Sequence, residues 1–165
     1  MKTLKIFYLG AFCALSSLVF GQNTTPIKTT DLSNSIKYHY ENNHGALSTA
    51  TWEKSEDSNQ VFVYASYIQD GDAKRITYIN DAYFCIATTV DLAYCPSAIK
   101  TYTDSLYPGF TINKLSYVQS PTGDAYRVEI SKGKKKKMVS HDLYFTAKSI
   151  FIKSVDQHKL PKSIL

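Results

Sequence analysis

A repeat along the chain is the feature that most constrains its fold. The segment Leu32–Lys37 (LSNSIK) is similar to Cys95–Lys100 (CPSAIK) about 63 residues later, and the opening recurs as Leu160–Ile164 (LPKSI). Further matches between the two longer copies are Gly45 with Gly109, Trp52 with Tyr117, and Asp81–Phe84 with Asp142–Phe145. This spacing indicates that one structural unit occurs twice, with loop insertions causing the small changes of offset.

The first copy begins with a predicted helix. Asp31 or Ser33 can cap it, because a side-chain oxygen there can accept from a backbone N–H of the first turn. Ile36 and Tyr40 lie one turn apart and form its apolar face. The polar segment Asn42–Gly45 then ends the helix.

The second copy also begins with a predicted helix. Pro96 suits the first turn, where its missing N–H would have no partner in any case. Ile99, Tyr102 and Leu106 follow at i, i+3 and i+7 and form one apolar stripe. Tyr107–Gly109 (YPG) ends this helix, because proline disfavours helical geometry in the residue before it.

The rest of each copy consists of short runs that are typical of antiparallel strands. The predicted strands include Val61–Ile68, Ile76–Ile79, Phe84–Val90, Tyr126–Ile130, Met138–His141 and Phe145–Ile152. Asp81 and Asp142 are interpreted as turn formers, and Glu53–Gln60 as an exposed polar loop. The sequence therefore predicts an α+β fold of two tandem units, residues 31–92 and 93–156.

The N-terminus predicts export. Two lysines precede the apolar stretch Ile6–Phe20, which has the length of a signal-peptide core. Cleavage before Gln22 would remove residues 1–21 and leave 22–30 as a flexible leader. Lipidation of Cys13 is the alternative, although Phe12 is larger than the residue that normally precedes a lipidated cysteine. No transmembrane segment is expected in the mature chain, because no second long apolar run follows.

The charge distribution argues against a nucleic-acid partner. The formal net charge is +5, and loss of Lys2 and Lys5 with the signal peptide lowers it to +3. Much of the positive charge is concentrated at Lys132 and Lys134–Lys137, whereas nucleic-acid binding needs basic residues spread over a face. This run is either a soluble hairpin tip or a contact for an acidic partner.

Motifs of enzymes and metal sites are absent from the sequence. His39 and His44 could lie near each other across a helix end, where the alternative is that both are solvated. His141 beside Asp142 suggests an acid–base pair, but the matching pair in the first copy is Asn80 and Asp81. We therefore expect no catalytic activity, no cofactor and no metal.

Cys85 and Cys95 are the two cysteines of the predicted mature chain. An oxidising compartment favours a disulfide between them, and a loop of about ten residues can be closed in this way. The alternative is a pair of buried thiols.

Aromatic residues are the strongest sign of a binding role. The chain has 13 tyrosines and one tryptophan, and both residue types anchor protein interfaces at low entropy cost. The candidate partner-binding residues, all on predicted strands, are Trp52, Tyr64, Tyr67, Tyr78, Tyr117 and Tyr126. Because strand residues alternate between faces, each could belong either to the core or to an exposed face.

The second copy resembles the PepSY-like family of exported bacterial proteins, which is grouped with the beta-lactamase inhibitory protein fold. The segments that carry the resemblance are Leu106–Gly109, Ile112–Tyr117, Gly123–Ile130, Gly133–Lys134 and Asp142. The first copy departs from the pattern at Ser33 and His44, where the family has prolines. The resemblance implies two tandem helix-plus-antiparallel-sheet units, with the helices packed on one face of a curved sheet. Residues 157–165 would be the start of a further unit.

These inferences together predict an exported, periplasmic or extracellular protein that binds another protein without catalysis. In the inhibitory relatives the open face of the sheet grips the partner, so the resemblance implies the same face here, with an envelope or extracellular enzyme as the inhibited partner. The alternative is a surface protein that binds a ligand or a carbohydrate, for which aromatic faces also serve. A hydrolase is a third reading.

Overall fold

The structure, a computed structural model, describes residues 24–57, 59–133 and 138–156. These residues form nine β-strands and two α-helices. The strands are β1 (Thr25–Pro26), β2 (Thr51–Asp57), β3 (Gln60–Gln69), β4 (Asp72–Ile79), β5 (Ala82–Val90), β6 (Thr111–Gln119), β7 (Ala125–Lys132), β8 (Val139–Thr146) and β9 (Phe151–Asp156). The helices are α1 (Asn34–Asn43) and α2 (Ser97–Leu106). No helix within the described ranges is long and apolar enough to cross a membrane.

The prediction of two tandem helix-plus-sheet units is wrong. The nine strands form one antiparallel sheet in the order β1 to β9, and strands account for 52% of the described residues. Similar sequence segments specify similar local elements, but they do not determine where a sheet ends. An edge strand leaves backbone groups without partners, so the next antiparallel strand can extend the same ladder even where a helix lies between the two strands in the sequence, as α2 does between β5 and β6.

The described residues group into two compact parts. The N-terminal part contains residues 24–89 and 118–121, and the C-terminal part contains residues 90–117, 122–133 and 138–156. The predicted signal peptide 1–21, the lysine run 134–137 and the stub 157–165 lie outside the described residues. Within the predicted leader 22–30, Thr25 and Pro26 form β1 and pair with Lys54 and Glu53 of β2.

The core of the N-terminal part lies between α1 and one face of strands β2 to β4. Ile36 and Tyr40, the predicted apolar face of α1, are both fully buried. They pack in one cluster, whose other buried members are Leu32, Trp52, Val63, Ala65, Tyr67, Ile76 and Tyr78. The predicted amphipathic helix is therefore confirmed, and half of the buried sheet residues beneath it are aromatic, namely Trp52, Tyr67 and Tyr78.

The core of the C-terminal part is mainly aliphatic. Its buried members are Ile99, Leu115, Val128, Ile130, Leu143 and Phe145. On α2 the buried positions are Ile99 and Thr103, whereas Leu106, a predicted stripe residue, is 60% exposed. Thr103 is compatible with burial because its hydroxyl donates to the backbone carbonyl of Ile99 at 2.9 Å.

Both helix boundaries follow from local chemistry. Ser33 is the N-cap of α1, and its hydroxyl accepts from the backbone N–H of Ile36 at 3.3 Å. Pro96 precedes α2 without a side-chain cap. After α2, Gly109 has a φ of +78°, a left-handed conformation that glycine adopts without steric cost. A side chain there would also crowd the ammonium of Lys132, which donates to the carbonyl of Pro108 at 2.9 Å.

The last predicted turn is misplaced. Asp142 does not form a turn but lies in the middle of β8, and the chain reverses at residues 147–150, where Ser149 has a φ of +61°. Asp81, its counterpart in the first copy, does lie in a turn. Glu53 is likewise in a strand, β2, and not in a polar loop. The charged residues Glu53 and Asp142 interrupt the alternation of apolar and polar residues from which the strands were predicted.

Replacing Ser33 with alanine should lower the free energy of unfolding by about 1 kcal/mol, because the N–H of Ile36 loses its acceptor. Urea unfolding followed by circular dichroism measures the change. Asp31→Ala is the matched control, since Asp31 is the other residue that could have capped this helix, and it should have a smaller effect. A larger effect at Asp31 would contradict the assignment of the cap.

Candidate functional site

The structure separates the six candidate aromatic residues into two groups. Trp52, Tyr67 and Tyr78 are buried in the core beneath α1. Tyr64 is also buried, but it lies on the opposite face of β3, because strand residues alternate in direction. The second group, Tyr117 and Tyr126, is only half-buried.

The buried aromatic side chains of the N-terminal part satisfy their polar atoms internally. Trp52 Nε1 donates to the carbonyl oxygen of Leu47 at 2.9 Å, and its ring meets that of Tyr40 edge-on at 5.0 Å. Tyr40 Oη and Thr49 Oγ1 are 3.1 Å apart. These contacts explain why Trp52 belongs to the core and not to an exposed face.

Tyr64 is surrounded by polar groups on the other face of the sheet. Its Oη lies 3.2 Å from Ser55 Oγ, and the Arg75 guanidinium lies 4.1 Å from the centre of its ring. Arg75 also pairs with Glu53 at 3.1 Å. Burial raises the pKa of Tyr64, so its hydroxyl stays protonated. Phe62, on the same face of β3, is fully buried.

Tyr117 and Tyr126 form an aromatic surface together with Asp124, which we call the tyrosine surface. The two rings are 5.1 Å apart. Tyr117 Oη donates to Asp124 Oδ2 at 2.8 Å, and this hydrogen bond raises the pKa of Tyr117. All three side chains are half-buried, so the surface is ordered by internal contacts and yet accessible.

Tyr126 of the tyrosine surface packs against the core of the C-terminal part. Tyr126 on β7 lies directly opposite Phe145 on β8, which is fully buried. Phe145 in turn meets Phe151 of β9 at 5.7 Å and Tyr102 of α2 at 5.4 Å. This packing holds the ring of Tyr126 in position.

Two histidines lie together at the end of α1. The rings of His39 and His44 are 5.7 Å apart, as their spacing suggested. Neither is simply solvated: His39 Nδ1 is 3.0 Å from Tyr78 Oη, and His44 Nδ1 is 3.0 Å from Tyr67 Oη. The alternation of β3 and β4 could have indicated these tyrosine partners, because it places both hydroxyls on the face that α1 covers. Within the described ranges, no three His, Cys, Asp or Glu side chains are grouped as metal ligands.

The C-terminal part contains a buried ion pair that sequence reasoning missed. Arg127 of β7 donates to Asp142 Oδ2 of β8 at 2.8 Å, and Glu129 lies 3.6 Å from the same nitrogen. Asp142 is fully buried. The paired carboxylate compensates the cost of burying the guanidinium, which accounts for the charge in this strand. His141 instead lies beside Tyr107 and Phe110, with ring centres 5.5 and 5.4 Å away.

The structure holds Cys85 and Cys95 as thiols, and the disulfide between them stays a prediction for an oxidising compartment. Cys85 is buried on β5. Cys95 is half-buried before α2, where its Sγ lies 3.8 Å from the carbonyl oxygen of Pro96. Burial raises the pKa of the Cys95 thiol, which makes it a weaker nucleophile at neutral pH.

No protein-family model matches the sequence, and no curated protein matches it. Solved structures do match. A DUF2874 family protein from Bacteroides uniformis is 15% identical with a TM-score of 0.59, over 80% of this chain and 94% of that chain. One from Bacteroides ovatus is 12% identical with a TM-score of 0.62, over 81% and 94%. A candidate periplasmic protein from Bacteroides eggerthii is 17% identical with a TM-score of 0.57, over 76% and 88%. At these identities the likeness shows the fold alone.

Trp52→Ala should lower the free energy of unfolding by about 3–5 kcal/mol, because it leaves a cavity beneath α1 and removes the hydrogen bond to Leu47. Urea unfolding followed by circular dichroism measures this loss. Tyr38→Ala is the control, since Tyr38 is 74% exposed on α1, the helix that covers Trp52, and its cost should stay within about 0.5 kcal/mol. Equal costs would contradict the assignment of Trp52 to the core.

Asp142→Asn should lower the free energy of unfolding by about 3–5 kcal/mol, because the buried guanidinium of Arg127 loses its compensating charge. Glu129→Gln, which changes the more distant and more exposed carboxylate, should cost less. Unfolding midpoints of the two variants in urea test the difference. The role of the ion pair would be refuted if Asp142→Asn unfolded at the wild-type midpoint.

Proposed function

We propose that this chain is an exported, non-catalytic protein that binds another protein through the tyrosine surface. The observation that supports this function is the half-buried pair of rings with a fixed hydroxyl. Tyrosine rings at the centre of an interface bury a large area, and their hydroxyls supply specific hydrogen bonds.

The rigidity of the tyrosine surface favours recognition. A side chain that is already ordered loses little rotamer entropy on binding, so more of the contact energy appears as affinity. The bond from Tyr117 to Asp124 fixes one ring, and the packing of Tyr126 against the core cluster that contains Phe145 fixes the other. Asp124 also places a carboxylate where a donor from the partner can reach it.

The proposed surface differs from the open sheet face that the sequence suggested. Tyr64 and Phe62, on the face of β3 opposite α1, are 5% and 0% exposed. Side chains buried to this extent offer no area to a partner. Tyr117 and Tyr126 lie on the face of the sheet that α2 covers. Each is two residues away from a core residue of its own strand, Leu115 and Val128 respectively, and residues two apart share a face.

Export is supported by the sequence of residues 1–21 and by the structural neighbour from Bacteroides eggerthii that is described as a candidate periplasmic protein. The resemblance to the PepSY-like family supports a narrower form of the proposal. In that form, the partner is an envelope or extracellular enzyme and binding inhibits it.

The double variant Tyr117→Ala/Tyr126→Ala should abolish capture of a protein partner from an envelope fraction. Immobilised protein without residues 1–21 serves as the bait, and stoichiometric partners are identified by mass spectrometry. The expected result is one protein that wild type retains and the double variant loses, with an affinity loss of at least about 30-fold for a hot-spot pair.

The control variant is Tyr94→Ala, because Tyr94 is 79% exposed in the same part of the chain, and it should retain the partner. Circular dichroism confirms that each variant is folded. Equal retention by the wild type and the double variant would refute the tyrosine surface. Binding to a glycan array in place of a protein would favour the carbohydrate alternative.

A further inference from the structure

The end of α1 is tied to the sheet by two histidine–tyrosine hydrogen bonds. His39 pairs with Tyr78 of β4 and His44 pairs with Tyr67 of β3, each through Nδ1 at 3.0 Å. Burial raises the pKa of Tyr67 to about 12 and raises that of Tyr78 as well, so both hydroxyls carry a proton at neutral pH. Neutral imidazoles can therefore accept from both tyrosines.

The two imidazole rings are enclosed by aromatic neighbours. His39 stacks on Tyr83 with ring centres 4.7 Å apart and planes 19° apart. His44 lies 5.5 Å from the ring of Tyr40. Both rings are half-buried, and with centres only 5.7 Å apart they would repel each other if both were charged.

Among the described residues, no carboxylate is recorded against this pair. The groups that face it are the phenols of Tyr40, Tyr67, Tyr78 and Tyr83, and the ammonium of Lys74 on β4. Burial lowers the pKa of His39, and burial, His39 and Lys74 lower the pKa of His44. The partial negative charge at the end of α1 acts in the opposite direction, but burial and repulsion outweigh it.

We propose that His39 and His44 form a proton-sensitive latch that releases the end of α1 from β3 and β4 in acid. In the latched state both imidazoles are neutral. Each ring that takes up a proton from solvent gains a positive charge and an N–H at the nitrogen that had accepted from tyrosine. Two adjacent cations beside Lys74 then favour the detached helix end, where water solvates both rings.

The direction of the pH dependence follows from linkage. A histidine whose pKa is lower in the folded state stabilises that state fully above its ordinary value of 6.5. This stabilisation is lost as the pH falls below 6.5 and through the folded pKa, because the detached state binds more protons. The latch is therefore closed at neutral pH and opens at acidic pH. It lies in the N-terminal part and does not depend on the tyrosine surface.

Trp52 reports on this region directly. It is the single tryptophan of the chain, and it contacts Tyr40 of α1 and the carbonyl oxygen of Leu47 just beyond that helix. We expect its fluorescence emission to shift to longer wavelength between pH 7.5 and pH 5, and the thermal unfolding midpoint to fall by several degrees over the same range.

The double variant His39→Asn/His44→Asn should lose this transition, because asparagine keeps a polar group near the Nδ1 position but does not take up a proton. His141→Asn, which changes a histidine of the C-terminal part, should behave as wild type. A transition of equal size in the double variant would overturn the proposal, as would constant Trp52 emission in wild type.

A second measurement needs no variant. An NMR titration of the wild-type protein gives the pKa of His39 and His44 individually. The proposal requires both values to lie below 6.5, and a value at or above 6.5 for either histidine would overturn it.

Discussion

The fold of the N-terminal part depends on one requirement: buried tyrosine and tryptophan side chains must keep their polar atoms hydrogen-bonded. The face of β2 to β4 that α1 covers carries Trp52, Tyr67 and Tyr78. Each has an apolar ring that gains from burial and a donor that loses if no acceptor is present. The acceptors come from the end of α1 and from the short turn that follows it. The position of the helix end is therefore set by polar atoms, while its apolar face supplies most of the packing energy.

The C-terminal part meets the same packing problem with a different chemistry. Its core is mainly aliphatic, and the buried hydroxyl of Thr103 on α2 bonds within the helix itself. Polar groups are placed elsewhere: a buried pair of Arg127 and Asp142 within the strands, and the half-buried Tyr117 with Asp124 at the surface. This difference separates the proposed histidine latch in one part from the proposed tyrosine surface in the other.

Much of the local structure can be predicted from the sequence, and the global arrangement cannot. Helix periodicity identified both helices, and cap chemistry correctly included Ser33, because these signals lie within a few residues of one another. Periodicity did not identify Asp142 as a strand residue, since its environment is set by Arg127 on the neighbouring strand. Periodicity also did not identify the face of the sheet on which Trp52 lies, because that face depends on the register between β2 and β3. The extent of the sheet depends on strand pairing, which similarity between two segments does not specify.

The short strand β1 has a consequence for association between copies of the protein. Thr25 and Pro26 cover the outer edge of β2 at Lys54 and Glu53, and Thr24 Oγ1 donates to Glu53 Oε1 at 3.1 Å. Proline has no N–H to offer, so this cover does not itself invite another strand. Loss of Thr25 and Pro26 would uncover the edge of β2 at Lys54 and Glu53. An uncovered strand edge can pair with another chain, so we expect molecules that lack β1 to associate edge to edge.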